Sequence, residues 1–337
     1  MGAHPDAPTL ALPVEEPSAL VDRTIPAPSP PQEGSTMKRS RLSAGLAAIA
    51  VTATLAACSS SDDTTSGSTE SSGSDKTITI GVTDKAKDYW RTFEDLAADA
   101  GIKVELENFT DYTQPNPITS QGDLDLNQFQ HLLYLANYNV SADDDLVPIG
   151  STAIYQLGLY TQKGYATPDD IPEGAEIAIP NDVVNQARAL LVLQSAGLIE
   201  LTGGGTAFST PAEIDEGASR VKVVPVDANQ TAVQLQSLDA AIINNNFAGD
   251  AGIDPTTAIY SDLQDTKTAR PYLNIWVTRA EDKDNPTYAK LVEIYHSKEI
   301  TDQLIEENGG TAVVEDVPAA ELQSDLATLE DQARAAS

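Results

Sequence analysis

Residues 181–188, with the sequence Asn-Asp-Val-Val-Asn-Gln-Ala-Arg, follow an apolar strand and open a predicted helix. Asn181 or Asp182 suits the N-cap, which places Arg188 near the positive end of that helix. A cation there opposes the helix dipole at a cost of a few tenths to about 1 kcal/mol, and a bound anion would relieve this conflict. The planar fork of Arg188 suits a carboxylate, and Asn185 lies one turn earlier on the same face. A ligand carboxylate and an ordinary surface salt bridge both satisfy this pattern.

Three amides follow a second apolar strand. The chain runs from residues 240–243 directly into Asn244, Asn245, Asn246 and Phe247. Ligands of open α/β sheets bind just outside the carboxyl ends of the strands. An amide side chain both donates and accepts hydrogen bonds, which suits an ammonium or amide group. Consecutive asparagines are also typical of an ordinary turn.

Aromatic side chains gather in a third segment. Phe129, His131 and Tyr134 fall in a predicted helix, 125–138, and His131 and Tyr134 are three residues apart on one face. Tyr112 adds a ring near the end of a predicted strand. Such a set suits an apolar or thioether group, because sulfur–aromatic contacts contribute about 0.3–1.5 kcal/mol. Packing in a core, with His131 hydrogen-bonded, is the alternative.

The sequence carries no recognisable catalytic or metal motif. It has no G-x-S-x-G elbow and no H-E-x-x-H, and its 3 histidines are too widely spaced for a zinc site. The acidic run 143–145 is expected to be a solvated loop rather than a calcium site. A formal charge of −31, from 51 acidic and 20 basic residues, argues against nucleic acid as a partner. We therefore expect no cofactor and no metal, and we favour a binding protein over an enzyme.

Strand and helix patterns alternate along the body of the chain. The predicted strands are 77–82, 102–106, 146–149, 154–160, 176–179, 222–226, 240–243 and 273–278. The predicted helices are 89–100, 125–138, 185–195, 231–238, 286–297 and 300–308. This alternation predicts an α/β fold with mainly parallel sheets flanked by helices.

The N-terminal part predicts export and lipidation. Residues 42–57 form an apolar stretch, preceded by Lys-Arg-Ser-Arg and ended by Leu-Ala-Ala before Cys58, the only cysteine. The stretch is shorter than the roughly 20 residues of a membrane-spanning helix and has the layout of a secretory signal. We expect an over-long start or disordered extension at 1–36, a lipoprotein signal peptide at 37–57, and a lipid-anchor cysteine with a flexible tether at 58–76. The predicted location is extracytoplasmic, with the chain lipid-anchored to the cell membrane.

Five segments of the chain occur in the order seen in the NlpA lipoprotein family, and the chain therefore resembles that family. They are Asp111-Tyr112 with Pro115-Asn116; Asn127-Gln128-Phe129-Gln130-His131; Pro180-Asn181-Asp182 with Asn185 and Arg188; Ala241-Ile242-Ile243-Asn244; and Pro271-Tyr272 with Asn274 and Val277-Thr278-Arg279. The likeness covers roughly 76–312. It implies a two-lobed, periplasmic-binding-protein-like fold (a Venus flytrap). We place lobe 1 at 77–155 plus 247–337 and lobe 2 at 156–246, with crossings near Tyr155 and Asn246.

The resemblance also implies a function. The family supplies substrate-binding subunits of ABC importers, which take an amino acid such as L-methionine to a membrane permease that works with an ATPase. The implied contacts are Arg188 for the ligand carboxylate, Asn244 for the amino acid backbone, Phe129, His131 and Tyr134 for the side-chain pocket, and Tyr112, Asn185 and Asn274 as secondary contacts or supports.

Three positions beside the implied side-chain pocket depart from common family patterns. Many relatives have Lys-Pro where this chain has Leu132-Leu133, and a Pro where it has Gln156. Residues 245–247, Asn-Asn-Phe, occupy positions where relatives commonly have polar residues followed by Tyr. An amino acid ligand is therefore better supported than methionine itself. The alternatives are a binding protein for another amino acid or a short peptide, a tethered extracellular hydrolase, and a structural or adhesive lipoprotein.

Overall fold

The structure is a computed structural model that describes residues 76–264 and 269–337. The predicted extension 1–36, the signal peptide 37–57, Cys58 and nearly all of its tether lie outside these residues. Within the two described ranges there are eleven strands and nine α-helices.

The strands are β1 (Ile78–Val82), β2 (Val104–Asn108), β3 (Leu126–Gln128), β4 (Val147–Ile154), β5 (Leu157–Tyr160), β6 (Glu176–Pro180), β7 (Lys222–Val226), β8 (Ala240–Asn244), β9 (Tyr260–Ser261), β10 (Leu273–Thr278) and β11 (Val313–Val314). The helices are α1 (Asp88–Asp99), α2 (Pro115–Gln121), α3 (Leu132–Ala142), α4 (Val183–Ser195), α5 (Thr231–Gln234), α6 (Asn245–Asp250), α7 (Pro286–Tyr295), α8 (Lys298–Glu307) and α9 (Ala319–Ala336).

The first lobe is built on a six-stranded sheet in the order β11-β4-β10-β3-β1-β2. The amphipathic α1 buries Trp90 and Phe93 against this sheet, where they meet Trp276 of β10 and Tyr295 of α7. The two Trp rings lie 6.0 Å apart in an edge-on arrangement. Edge-on aromatic pairs contribute beyond their buried area, so this cluster anchors the lobe.

The second lobe is built on a five-stranded sheet in the order β7-β6-β8-β5-β9. One side of α4 is buried against it, and Leu190 and Leu193 share a core with Ile177 of β6 and Ile242 of β8. Because β6 and β8 are buried, they appear in the sequence as short continuous apolar runs rather than as alternating patterns.

The α/β class predicted from the sequence is confirmed, but its sheets are mixed. Only β1–β2, β1–β3, β6–β7 and β6–β8 pair in parallel. The pairs made by β4, β5 and β10 are antiparallel. The reason is topological, because β4 leaves the first lobe where β10 returns to it, and so the two strands run in opposite directions.

The chain passes between the lobes at two places. The predicted strand 154–160 is in fact two strands in different sheets, since β4 ends at Ile154 and β5 begins at Leu157. The return is later than the predicted boundary at 246, because β9 still pairs with β5 of the second lobe. We call residues 155–156 the first crossing, and the described residues between β9 and β10, 262–264 and 269–272, the second crossing.

Several predicted element boundaries are also wrong. The predicted helix 125–138 is β3 followed by a loop, and α3 begins only at Leu132 because the ring of His131 caps it. The predicted helix 231–238 is the single turn α5. The helices α2 and α9 were not predicted. None of the helices in the described part of the chain is long and apolar enough to cross a membrane.

Candidate ligand-binding site

A cavity lies between the lobes, at the carboxyl ends of β1, β3 and β8. It encloses about 600 Å³ of empty space, a volume that includes the solvent in its open mouth. Its lining includes all eight residues predicted as ligand contacts: Tyr112, Phe129, His131, Tyr134, Asn185, Arg188, Asn244 and Asn274. The structure therefore brings five separate sequence segments to one place. The role of each residue in ligand binding stays a prediction.

Arg188 is held in one orientation by contacts on three sides. Its Nε donates to Oδ2 of Asp262 at 2.6 Å, and its Nη2 donates to the carbonyl of Tyr155 at 2.8 Å. Its guanidinium carbon lies 4.2 Å from the centroid of the Tyr272 ring. Arg188 is only 5% exposed, so the surface salt bridge considered from the sequence is instead a buried ion pair. Its Nη1 has no hydrogen-bond partner among the described residues and can bind an anion.

Asn185 is the centre of a directed hydrogen-bond network. Asp182 caps α4 by accepting from the backbone N–H of Asn185, as predicted, and it also accepts from the Asn185 side-chain Nδ2 at 3.0 Å. This orients the Asn185 Oδ1 toward His131 Nε2 and Asn244 Nδ2, each at 3.2 Å. Asp182 fixes the side chain of Asn185, and Asn185 in turn sets the orientation of the His131 and Asn244 side chains.

His131 is neutral in this setting. Burial, together with the positive charge of Arg188, lowers its pKa to about 3, although the hydrogen bond with Asn185 opposes the shift. Its Nδ1 accepts from the backbone N–H of Tyr134 at 3.1 Å, so the single ring proton lies on Nε2 and points to Asn185. Burial also raises the pKa of Asp182, to about 6, against the hydrogen bonds that it accepts from Asn185.

Asn244 presents an acceptor without a partner. Its Nδ2 is used by Asn185, and its Oδ1 is buried with no hydrogen bond among the described residues. An unpaired buried acceptor costs roughly 1–3 kcal/mol, which a bound donor would recover. The ordinary turn considered as the alternative for these asparagines is instead the start of α6, with Asn244 at its N-cap.

A cluster of aromatic rings forms another part of the site. We define the aromatic wall as Tyr112, Phe129 and Tyr134 of the first lobe, which line the cavity, together with Phe247 of α6, which packs against Tyr112 without lining it. The Tyr112 ring lies 4.9 Å from the Phe247 ring and 5.9 Å from the Phe129 ring, measured between centroids. The Tyr112 hydroxyl also donates to Oδ1 of Asn246. Because Tyr112 and α6 belong to different lobes, these contacts join the lobes across the cavity.

Buried amides support the loop that carries Phe129 and His131. Gln130 and Asn116 exchange two side-chain hydrogen bonds, at 2.9 and 2.5 Å. Asn127 donates to the hydroxyl of Thr119 at 2.8 Å and accepts from Gln130 at 2.9 Å. Asn127 and Gln130 therefore hold the loop to α2, and the loop lines the cavity with Gln128, Phe129, Gln130 and His131.

Sequence reasoning missed several residues around the cavity. Asp262 had no local signal, because its partner Arg188 is 74 residues away in the chain. Tyr272 lies in one of the five family segments, which was the available signal. Asp84 also lines the cavity; burial raises its pKa, while Tyr89 and Trp90 donate hydrogen bonds to it. Within the described ranges, no group of three His, Cys, Asp or Glu residues could hold a metal ion.

Two α/β lobes, joined by two crossings and closing on a polar and aromatic cleft, define a two-lobed substrate-binding protein. Residues 78–317 match the family model described as NlpA lipoprotein. The chain belongs to the NlpA lipoprotein family, which confirms the resemblance found in its five segments.

Named relatives and solved structures are consistent with this family assignment. The D-methionine-binding lipoprotein MetQ of Salmonella typhi is 36% identical over 203 residues, covering 59% of this chain and 73% of the relative. The substrate binding protein of a methionine transporter from Streptococcus pneumoniae has a TM-score of 0.66 and 36% identity, over 71% of this chain and 95% of the other. A nutrient binding protein from Burkholderia cenocepacia, solved bound to methionine, has a TM-score of 0.65 and 36% identity, and the match covers 71% of this chain and 99% of the other. The predicted periplasmic-binding-protein-like fold is thereby confirmed.

Proposed function

We propose that this protein is the substrate-binding component of an ABC importer and that it binds a free amino acid, L-methionine, in the cavity between its lobes. Two of the relatives are named for methionine binding or transport, and a third was solved with methionine bound. In this proposal the protein carries its ligand to a membrane permease that works with an ATPase. Cys58 anchors it outside the cytoplasm by attached lipid.

One observation carries the proposal: opposite ends of an amino acid backbone find complementary groups in the same cavity. The Nη1 of Arg188 is a charged donor for the α-carboxylate, and Oδ1 of Asn244 is an acceptor for the α-ammonium. Charge-assisted hydrogen bonds of this kind contribute about 1.5–3 kcal/mol each. The cavity thus recognises the part that all free amino acids share.

The aromatic wall supports methionine as the particular ligand. Thioether sulfur gains about 0.3–1.5 kcal/mol from each favourable contact with an aromatic ring. Micromolar affinity requires about 8 kcal/mol, which two charge-assisted contacts and a buried thioether chain supply. His131 adds no charge, because its lowered pKa keeps the ring neutral at physiological pH.

Closure of the lobes follows from where the contacts arise. Arg188 and Asn244 belong to the second lobe, whereas Phe129 and Tyr134 belong to the first. A ligand that touches both sets at once binds the closed form better than the open form and shifts their populations. A permease then has a closed, loaded form to recognise.

Calorimetric titration tests the function directly. The purified protein is unfolded and refolded to remove bound ligand, then titrated with L-methionine, D-methionine and a panel of other amino acids. We expect saturable one-to-one binding of L-methionine. Binding of another amino acid but not of methionine would support the backbone contacts and reassign the side-chain pocket. No detectable binding of any amino acid in the panel would refute the proposal. Recovery of unchanged ligand after long incubation separates a binding protein from a hydrolase.

A further inference from the structure

Asp262 lies outside the set of residues assigned to ligand binding, yet it makes the shortest polar contact of Arg188. Its Oδ2 accepts from Nε of Arg188 at 2.6 Å, and its Oδ1 accepts from the backbone N–H of Leu157 at 2.9 Å. Leu157 is the first residue of β5, directly after the first crossing. Asp262 itself begins the second crossing. One carboxylate therefore links the guanidinium to the second crossing and to the first residue of β5, beside the first crossing.

The remaining contacts of Arg188 involve the two crossings themselves. The carbonyl that accepts from its Nη2 belongs to Tyr155 in the first crossing, and the ring beneath it belongs to Tyr272 at the end of the second. These contacts use the Nε edge and one Nη2 hydrogen. Nη1 makes no hydrogen bond with a described residue, and Arg188 lines the cavity, so Nη1 is the part of the guanidinium left for an anion there.

We propose that Asp262 is a positioning residue for carboxylate recognition: it holds Arg188 by its Nε edge against both crossings, so that the Nη side of the fork meets the ligand. The inference rests on the proposed function. A planar fork recognises a carboxylate only at a defined angle, so a rotated guanidinium keeps its charge but loses the paired geometry.

Two opposing effects make the idea testable. Removing the charge of Asp262 leaves Arg188 with a less compensated positive charge, which by itself would strengthen the binding of an anion. Removing the acceptor frees the guanidinium to rotate, which weakens binding. Asp262→Asn shows which effect is larger, because its side chain keeps the shape and loses the charge, and its single acceptor oxygen cannot serve both the Arg188 Nε and the Leu157 N–H.

The test measures the affinity of the purified full chain for L-methionine and for L-methioninamide, which lacks the carboxylate. In Asp262→Asn we expect affinity for L-methionine to fall tenfold or more, and affinity for the amide to change less than threefold. In an Arg188→Ala background, Asp262→Asn should change L-methionine affinity less than twofold, because the residue being positioned is gone. Asp254→Asn is the matched control, since this exposed carboxylate of the second lobe accepts only from Thr256.

Three results would overturn the inference: tighter L-methionine binding in Asp262→Asn, an equal loss for acid and amide, or additive losses in the double variant. The melting temperature of each variant shows whether it is folded, and Asp262→Ala provides a second variant without the added amide donor. If the wild-type chain binds no amino acid at all, the proposed function fails, and this inference fails with it. If the wild type binds and the losses are additive, only the role of Asp262 is refuted.

Discussion

The two ends of the cavity are built on different principles. At the Arg188 end, one helix turn supplies a buried cation and the amide of Asn185, and a few directed hydrogen bonds hold both. At the other end, the aromatic wall is assembled from two segments of the first lobe and one helix of the second. The first end depends on exact orientation of few groups, and the second depends on packed area shared by many.

The two ends should contribute to ligand selectivity in different ways. Charged contacts in a desolvated site are strong individually, and removing one partner leaves the other unpaired. Ring contacts are weaker individually and substitute for one another. We therefore expect the Arg188 end to decide whether an amino acid binds at all. The aromatic wall should decide, by smaller factors, which amino acid it is.

The largest effect should come from Arg188→Ala, which removes the carboxylate partner and leaves Asp262 without its cation. Loss of one member of a buried charged contact typically costs about 2–5 kcal/mol, so affinity for L-methionine should fall about 30-fold or more in calorimetry. Arg91→Ala is the control, because Arg91 is 75% exposed on α1. A loss of less than tenfold in Arg188→Ala would remove the contrast between the two ends.

A smaller loss of affinity for L-methionine, about tenfold, is expected for Asn185→Ala. This change leaves the His131 and Asn244 donors without their shared acceptor, at roughly 1–3 kcal/mol for a buried unsatisfied group. Asn285→Ala removes an amide cap from α7 in the first lobe and should leave binding unchanged. Equal calorimetric losses in the two variants would show that the network does not position the site.

Phe129→Leu should alter selectivity more than affinity. Replacing one ring of the aromatic wall removes a sulfur–aromatic contact worth about 0.3–1.5 kcal/mol. The ratio of L-methionine to L-norleucine affinity should therefore fall two- to tenfold, with norleucine binding nearly unchanged. Phe208→Leu, whose ring does not line the cavity, serves as the control. An unchanged ratio would mean that the wall contributes area without recognising sulfur.

The smallest effect should be the pH dependence of binding. Between pH 7 and 8, Asp182 is ionised and His131 is neutral, so affinity should change less than twofold. At pH 5 Asp182 gains a proton and becomes a poorer acceptor for Asn185, so affinity should fall two- to fivefold. That fall should vanish in Asp182→Asn and persist in His131→Gln; a fall that follows His131 would contradict the assignment.

The same two groups shift stability in opposite directions. The raised pKa of Asp182 means that the folded chain holds a proton that the unfolded chain has lost between about pH 4 and 6, so this group lowers the unfolding free energy as pH rises through that window. The lowered pKa of His131 means that the unfolded chain alone is protonated between pH 6.5 and about 3, so this group lowers the unfolding free energy as pH falls. Urea unfolding of His131→Gln between pH 4 and 7 should show a weaker fall toward low pH than the wild type does.

Local patterns in the chain were sufficient to predict many of the residues of the site. The cap at Asp182, the turn from Asp182 to Asn185 and the position of Arg188 on α4 follow from spacing along one helix, and the structure shows them as expected. The predicted helix 125–138 failed because short apolar runs do not distinguish a buried strand from a helix, and the change from one to the other occurs at His131.

Helix caps, strand runs and turn spacing are local, so the α/β class, the family and the nearby groups that carry charge and aromatic rings could all be predicted from the chain alone. The pairing of Arg188 with Asp262, the contact of Tyr112 with Asn246 across the cleft, and the position of the second crossing after β9 became visible only in the folded molecule. Each of these joins residues far apart in the chain. Such contacts depend on how two sheets and two crossings come together, which no periodicity along the chain encodes.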